Sequence, residues 1–168
     1  MSPPRAQDKQ CSRAEAVARV AAWRTAGERV VMANGVFDLL HVGHARYLEG
    51  ARALGDRLVV AVNDDASAAA LKGPGRPVMA AGDRALLVAA LRAVDRVIVF
   101  GEPTVDGLLR ELRPAVHAKG TDYRPDTVPE RATMQALGGE VAVTGDPKRH
   151  ASSDVVARIR AALDANDG

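Results

Sequence analysis

The sequence feature that most constrains the fold is a regular alternation between short runs rich in valine and isoleucine and longer segments with helical spacing. The apolar runs are Val30–Ala33, Leu58–Val62, Val97–Phe100, Ala115–Ala118 and Val141–Val143. Each run is short enough to be a strand that is buried on both faces. Strands that alternate with helices predict a parallel sheet with helices on both sides.

The segments with helical spacing complete this pattern. They are Ser12–Ala26, His44–Leu54, Asp83–Val94, Val105–Leu112, Val128–Leu137 and Ser153–Leu163. In the first of them, Ser12 is a plausible N-cap and Gly27 a stop signal. We therefore predict a single-domain, Rossmann-like α/β fold, a doubly wound parallel sheet of about five strands with an added N-terminal helix. Residues 1–11 are polar and proline-rich and are expected to form a flexible tail, with the domain over residues 12–168.

Composition and charge exclude several classes of function. The 168 residues include 23 Lys and Arg against 21 Asp and Glu, the basic residues are scattered, and aromatic residues are few, so we expect no nucleic-acid partner. No segment approaches the ~18 consecutive apolar residues of a transmembrane helix, so no membrane partner is expected. A lone cysteine, Cys11, and an N-terminus without an apolar leader favour a cytoplasmic location.

The densest candidate site follows the first strand, in residues 34–44 (NGVFDLLHVGH). His41 and His44 flank Gly43 where a strand is predicted to give way to a helix. Gly43 allows close approach of a ligand, and the helix N-terminus supplies N–H groups and a positive dipole. With two imidazole donors added, the segment predicts a phosphate site suited to charge developing on a phosphoryl group. A metal pair and two packed core histidines are the less favoured alternatives.

Three further signals follow later strands. Lys72 is one of only four lysines and lies in a loop rich in Gly and Pro, residues 71–77, which suits a mobile lid. Lys119–Tyr123 forms a charged turn after the fourth strand. Ser152 and Ser153 open the last helix, where they could cradle an anion. A solvated loop and simple helix capping remain open as alternatives for Lys72 and the serines.

Residues 34–44 resemble the signature of the cytidylyltransferase-like nucleotidyltransferases. A series of smaller matches, from Tyr47-Leu48 through Leu71-Lys72-Gly73 to Gly138-Gly139, is similar to the adenylyltransferase half of bifunctional ADP-heptose synthase. The similarity covers about residues 12–162. The resemblance implies a free-standing form of that half, without the sugar kinase.

The resemblance also implies a reaction. A heptose 1-phosphate, D-glycero-β-D-manno-heptose 1-phosphate, would attack the α-phosphorus of ATP in line, giving ADP-heptose and pyrophosphate. Mg²⁺ would accompany ATP as cofactor, and the enzyme would be a homodimer. The residues agree, since no activated Ser or Cys nucleophile is evident. Three alternatives stay open: a cytidylyltransferase acting on glycerol 3-phosphate or another polyol phosphate, a non-catalytic nucleotide sensor, and an ATP-dependent ligase, for which Lys148-Arg149 is a weak match.

Roles follow from the resemblance as expectations. His41 and His44 would stabilise the transition state, and Lys72 would bridge the α-phosphate and the sugar phosphate. Asp38 would orient Lys72 or a sugar hydroxyl. The expected nucleotide-binding residues are Asn34, Gly35, Phe37, Gly43, Lys119, Gly120, Asp122, Ser152 and Ser153. Asp38, Asn63 and Arg84 would serve the acceptor or phosphate side, and no residue is assigned to a metal.

The sequence departs from the family pattern at three places. The last helix opens with Ala151-Ser152-Ser153 where Ser-Thr-Thr is usual, which removes one hydroxyl. Thr121 stands where a second glycine usually follows Lys119-Gly120. His117 and His150 have no evident family counterpart and are expected to be a strand residue and a loop residue.

Overall fold

The chain folds around one parallel five-stranded sheet. The computed structural model describes residues 4–147 and 151–166, so His150 and Lys148-Arg149 lie outside the described residues. The strands are β1 (Val30–Gly35), β2 (Arg57–Asn63), β3 (Arg96–Phe100), β4 (Val116–Gly120) and β5 (Glu140–Thr144). Their order is β3-β2-β1-β4-β5, and all pairs are parallel. The five predicted strands are confirmed. The order reverses between β1 and β4, the position where ligands bind in such sheets.

Helices cover both faces of the sheet. They are α1 (Ala6–Lys9), α2 (Arg13–Thr25), α3 (Val42–Arg52), α4 (Asp65–Lys72), α5 (Ala81–Ala90), α6 (Asp106–Leu112), α7 (Arg131–Ala136) and α8 (Ser152–Asn166). Alternate residues of each strand face opposite sides, which builds two apolar clusters. Val31 and Val60 belong to the cluster that includes Leu48 of α3, and Met32 and Ile98 to the other.

The N-terminal helix predicted from Ser12 is present and capped as expected. The Ser12 hydroxyl accepts a hydrogen bond from the backbone N–H of Glu15, and the Ser12 backbone N–H donates to the Glu15 carboxylate at 2.7 Å. This capping box satisfies N–H groups that a helix start leaves without partners. Local sequence therefore fixes where α2 begins.

The segment predicted to be a flexible tail differs from that expectation over residues 4–11. Residues 6–9 form α1, the Lys9 ammonium donates to the Leu91 carbonyl at 3.0 Å, and the Cys11 N–H donates to the Val97 carbonyl at 3.0 Å. These contacts place the segment against α5 and the edge strand β3. Contacts with residues more than 80 positions away leave no local pattern in the sequence.

A second difference concerns Lys72. The sequence predicted a loop over residues 71–77, but Lys72 is the last residue of α4, and Gly73 ends the helix at φ +88°. Asp64 caps the other end by accepting from the Ser67 N–H at 2.7 Å. Helix α4 escaped prediction because it is rich in alanine and buries only Ala68, so its apolar periodicity is weak. No helix in the described part of the chain is long and apolar enough to span a membrane.

Candidate active site

The carboxyl ends of the strands enclose a cavity of about 560 Å³. Asn34 and Gly35 end β1, Gly120 ends β4, and the start of α3 closes the gap between them. Among the residues predicted for the site, those lining the cavity are Asn34, Gly35, Phe37, His41, Gly43, His44, Asn63, Lys72, Lys119, Gly120, Asp122 and Ser152. Ser153, Asp38 and Arg84 do not line it. One cavity thus brings together residues from five segments of the chain.

The two histidines form a fixed pair at the start of α3. His41 is the N-cap, and its Nδ1 accepts from the Gly43 N–H at 3.1 Å. The His41 N–H in turn donates to Nδ1 of His44 at 3.2 Å, and the two rings stack with centroids 3.9 Å apart. A backbone N–H can only donate, so both Nδ1 atoms are unprotonated and each neutral ring carries its proton on Nε2. The His-x-x-His spacing therefore sets the tautomer of both rings.

His44 is held in its neutral form. Burial lowers the pKa of His44 to about 4, and the nearby His41 and Lys72 add to this effect. Its ring also contacts Phe37, with centroids 5.3 Å apart. At neutral pH, His44 is thus an uncharged N–H donor beside a helix N-terminus, which suits an anionic ligand.

Buried histidines make the stability of the protein depend on pH. Burial also lowers the pKa of His117, to about 3, and the ordinary value of both His44 and His117 is 6.5. Below about pH 6.5 these two histidines therefore bind protons in the unfolded chain but not in the folded protein. The free energy of unfolding thus falls as the pH is lowered through about 6.5 and is recovered as the pH is raised. We expect urea denaturation at pH 5 to give a free energy of unfolding lower than at pH 7.5 by roughly 1 to 2 kcal/mol for each histidine.

The control for this prediction is His117→Gln, which cannot titrate in this range. That variant should lose about half of the dependence between pH 5 and 7.5. An unchanged dependence in the variant would show that other groups cause it.

Asp38 is buried next to the site but does not face the cavity. Its carboxylate is 1% exposed and accepts from Nε of Arg76 at 2.7 Å and from the N–H groups of Val78 and Met79 at 2.8 and 3.0 Å. Burial alone would raise the pKa of Asp38, but these three donors together lower it. Asp38, expected to orient Lys72 or a sugar hydroxyl, thus has its carboxylate bound by donors of the protein itself. Asp38 holds the segment that follows Lys72.

The backbone on either side of Asp38 supports this role. Phe37 and Leu39 both adopt φ of +52°, a left-handed conformation that is costly for residues with side chains. The turn directs the Asp38 carboxylate away from the cavity and toward residues 76–79.

Replacing this carboxylate should destabilise the protein. Asp38→Asn keeps the size of the side chain but removes the charge that Arg76 and two N–H groups bind. Hydrogen bonds to charged groups contribute more than neutral ones, so we expect a loss of about 2 kcal/mol in the free energy of unfolding, measured in urea. Asp8→Ala, which removes an exposed ion pair with Arg5, is the matched control and should cost under about 1 kcal/mol. Equal losses in the two variants would contradict the role of Asp38.

Arg84 is also a structural residue. It is fully buried, and its guanidinium donates to the carbonyls of Val36, Asn63 and Met79 at 2.6 to 2.9 Å and to Asp65 at 2.8 Å. These bonds join the ends of β1 and β2 to the start of α4. Arg84, expected to serve the acceptor or phosphate side, therefore has its donors bound within the protein and does not line the cavity. Its donors are engaged by backbone carbonyls from distant segments, which no sequence pattern reveals.

The β4 side of the cavity contains a buried ion pair between Lys119 and Glu130. Lys119 is 6% exposed, and its ammonium lies 3.5 Å from the Glu130 carboxylate and 4.6 Å from the centre of the Tyr123 ring. Burial lowers the pKa of Lys119, against the opposing effect of Glu130. The charge of Lys119 is balanced inside the protein, so this side carries less positive character than the histidine side.

Several residues that line the cavity were not predicted, namely Arg46, Tyr47, Thr144 and Asp146. Arg46 lies two residues after His44, near the helix start, and Thr144 is the first polar residue after the apolar run of β5, so both positions could have been found. The Thr121 hydroxyl donates to the Asp146 carbonyl at 2.6 Å, which links the loops after β4 and β5. The side chain that departs from the family pattern thus bridges two loops at the cavity.

The donor set of the site suits phosphate more than a metal ion. Among the described residues, no three His, Cys, Asp or Glu side chains come together as a metal site would require. The carboxylates that line the cavity are Asp122 and Asp146, and Asp146 pairs with Arg46 at 2.5 Å. Histidine donors, Lys72 and a helix N-terminus are the features of an anion site.

A comparison with protein families agrees with this geometry. Residues 32–158 match the family model described as cytidylyltransferase-like, a range that contains every residue of the cavity named above. The chain belongs to the cytidylyltransferase-like family. As a member of that family it is a nucleotidyltransferase, which confirms the resemblance and the enzyme class predicted from the sequence.

Curated relatives of this cytidylyltransferase-like chain are longer proteins. It is 47% identical to the bifunctional protein HldE of Methylobacillus flagellatus over 152 residues, which are 90% of this chain and 31% of the relative. It is 50% identical to the bifunctional protein HldE of Ectopseudomonas mendocina over 137 residues, which are 82% of this chain and 29% of the relative. The chain therefore spans about a third of the length of these relatives.

A solved structure supports the fold of this cytidylyltransferase-like chain. The lipopolysaccharide core biosynthesis protein from Thermoplasma volcanium GSS1 is 34% identical, with a TM-score of 0.59. The match covers 70% of this chain and 94% of that protein. The predicted Rossmann-like fold is thus confirmed.

Proposed function

We propose that this nucleotidyltransferase is an adenylyltransferase that joins AMP from ATP to a sugar 1-phosphate, D-glycero-β-D-manno-heptose 1-phosphate. The observation that carries the proposal is the stacked pair of His41 and His44 at the N-terminus of α3, in one cavity with Lys72. The choice of a heptose phosphate rests on the similarity to the HldE proteins and to a lipopolysaccharide core biosynthesis protein.

The arrangement suits direct transfer between two phosphates. An oxygen of the sugar phosphate would attack the α-phosphorus of ATP, the bond to the bridging oxygen of the β-phosphate would break, and pyrophosphate would leave with the electron pair. No proton has to be removed from a phosphate nucleophile, so a neutral histidine can act as a donor rather than as a base. Charge grows on the equatorial oxygens of the α-phosphoryl group, where fixed donors are most effective.

Each residue has a distinct role in this proposal. The Nε2–H groups of His41 and His44, placed at the positive end of the α3 dipole, stabilise the α-phosphoryl oxygens. Lys72 brings a positive charge between the α-phosphate and the incoming sugar phosphate, whose mutual repulsion opposes the reaction. Ser152, at the start of α8, lies where it could hold the far end of the triphosphate. Magnesium bound to ATP supplies further charge neutralisation when present.

The test is pyrophosphate release from each nucleoside triphosphate, with Mg²⁺, against a panel of sugar and polyol phosphates. The panel contains both anomers of D-glycero-D-manno-heptose 1-phosphate and glycerol 3-phosphate. Release with ATP and the β-heptose phosphate alone is the expected result. Turnover with CTP and a polyol phosphate would keep the mechanism and overturn the substrate assignment. ATP binding without release of pyrophosphate from any pair would favour a nucleotide sensor.

A further inference from the structure

The β4 side of the cavity contains a buried polar cluster for which the proposed mechanism has no use. We call it the β4 cluster: Asn34 from β1, His117 and Lys119 from β4, and Glu130 just before α7. His117 and Lys119 are two residues apart on one strand, so their side chains share a face of the sheet. His117 is fully buried, and Lys119 and Glu130 are 6% and 7% exposed. Burying these polar groups destabilises the protein unless they form hydrogen bonds or ion pairs with one another.

The hydrogen bonds of the β4 cluster fix the orientation of the Asn34 amide. The Lys119 ammonium lies 3.3 Å from Oδ1 of Asn34, and Nε2 of His117 lies 3.0 Å from the same atom. An ammonium can only donate, so the atom it contacts must be the amide oxygen. His117 therefore carries its proton on Nε2 and donates as well. With its oxygen bound by two donors, the Asn34 amide has its NH₂ group left to offer to the cavity that Asn34 lines.

The position of His117 on β4 satisfies one of its ring nitrogens and leaves the other without a hydrogen bond. Its Nδ1 has no hydrogen-bond partner within the described residues, although the ring is fully buried. An unpartnered buried acceptor is destabilising, and an apolar side chain would avoid that cost. A histidine at this position of β4 is thus explained by its bond to Asn34 better than by packing.

The charge of the β4 cluster indicates which part of a nucleotide it faces. Lys119 is balanced by Glu130, and His117 and Asn34 are neutral, so the cluster has no net charge. The opposite side of the cavity, by contrast, holds the N-terminus of α3, the histidine pair and the positive Lys72. An uncharged nucleoside suits the first side and phosphates suit the second. The Tyr123 ring, 4.6 Å from the Lys119 ammonium, adds an aromatic surface to the first side.

We propose that His117 and Lys119 are positioning residues that direct the NH₂ group of Asn34 into the cavity, where it binds a hydrogen-bond acceptor on the nucleoside of the bound nucleotide. This inference rests on the proposed nucleotidyl transfer and adds to it the group that recognises the nucleoside. Asn34 was expected to bind nucleotide, and His117 was expected to be only a strand residue.

The test compares two probes that differ only by the nucleoside, ATP and inorganic tripolyphosphate, by calorimetric titration of the whole chain. Asn34→Ala should weaken ATP binding roughly tenfold, the effect of one lost hydrogen bond, and leave tripolyphosphate binding within twofold. His117→Leu should weaken ATP binding about threefold. His117→Gln keeps an amide donor near the position of Nε2 and should restore ATP binding to within twofold of the natural protein.

Thr133→Val is the matched control for changes near this face of the sheet. The Thr133 hydroxyl donates to Asp106, whose charge acts on His117, but Thr133 does not line the cavity. This variant should bind both probes as the natural protein does. If His117→Leu fails to fold, the comparison of Asn34→Ala with His117→Gln still decides the question.

Two results would overturn the inference. Equal weakening of ATP and tripolyphosphate in Asn34→Ala would place the amide on phosphate, and unchanged ATP binding would show that it meets no ligand. Should the natural protein prefer another nucleoside triphosphate, that nucleotide replaces ATP as the probe. The proposed substrate would then be wrong, while the role of Asn34 would be tested just as directly.

Discussion

The His44→Ala variant is expected to fold normally and to lose at least about 100-fold in kcat for pyrophosphate release. This is the effect typical of removing one fixed donor from a developing oxyanion. His44 meets the conditions for such a donor, because its Nδ1 accepts the His41 N–H and its ring is confined between His41 and Phe37. Alanine removes the donor and leaves the helix start intact, since its other cap, the bond from Gly43 to His41, does not involve His44.

The measurement is initial-rate pyrophosphate release with the substrate pair identified by the panel, together with thermal unfolding of each variant. His44→Gln offers an amide donor near the position of Nε2 and should recover part of the lost rate. Turnover within a few-fold of normal in His44→Ala would refute the role.

The protonation state of His44 gives a second check on the same residue. Because its pKa is about 4 in the free protein, kcat/KM should show no inflection from His44 between pH 5 and 8. An inflection near pH 6 to 7 that disappears in His44→Gln would mean that His44 acts as a cation, contrary to the mechanism proposed. Inflections shared by both proteins belong to the substrates or to other groups.

The fold could be predicted well wherever the signal was local. All five strands contain apolar runs, and the three central strands β1, β2 and β4 are buried over most of their length. The edge strands β3 and β5 are partly exposed, yet their runs of Val and Ile were apolar enough to be recognised. Helix α4 was missed because its alanines give little contrast between its faces, and α1 because four residues are too few to show a period. The position of α1 is set by α5 and β3, which are distant in the sequence.

In the candidate site, too, one group of residues could be predicted from local sequence and another could not. His41, Gly43 and His44 lie within one turn between a strand and a helix, so their proximity follows from the sequence alone. Asp38 and Arg84 lie in motifs of the family as well, yet their side chains bind groups 5 to 48 residues away and do not reach the cavity. Whether a conspicuous polar residue faces the cavity or the protein interior depends on tertiary packing, which motif spacing does not report.

The same limit applies to His117. From the sequence alone, His117 is expected to be only a strand residue, because its partner Asn34 lies 83 residues earlier on the neighbouring strand. Parallel pairing of β1 with β4 brings Met32 opposite His117, and this register is what carries the His117 ring near Asn34. Only the strand order, with β4 next to β1, reveals the β4 cluster.

The Lys72→Ala variant is expected to lose about 100-fold or more in kcat while its affinity for ATP changes only several-fold. Lys72 lies at the end of α4, and its charge contributes to the low pKa of His44, so the two residues act on the same region of the cavity. The start of α4 is held by Arg84 and the segment after it by Asp38, which gives Lys72 a fixed base. A charge placed between two phosphates matters most when they approach each other, so its loss should appear in the chemical step.

Single-turnover rates and ATP titration separate these two effects in Lys72→Ala. Lys9→Ala is the matched control, because Lys9 bonds to Leu91 far from the cavity and its loss should leave kcat unchanged. Lys72→Arg keeps the charge but replaces a compact ammonium with a planar fork, so only partial activity should return. If Lys72→Ala instead weakens ATP binding by the whole factor lost in kcat/KM, with kcat unchanged, Lys72 binds the ground state and takes no part in bringing the phosphates together.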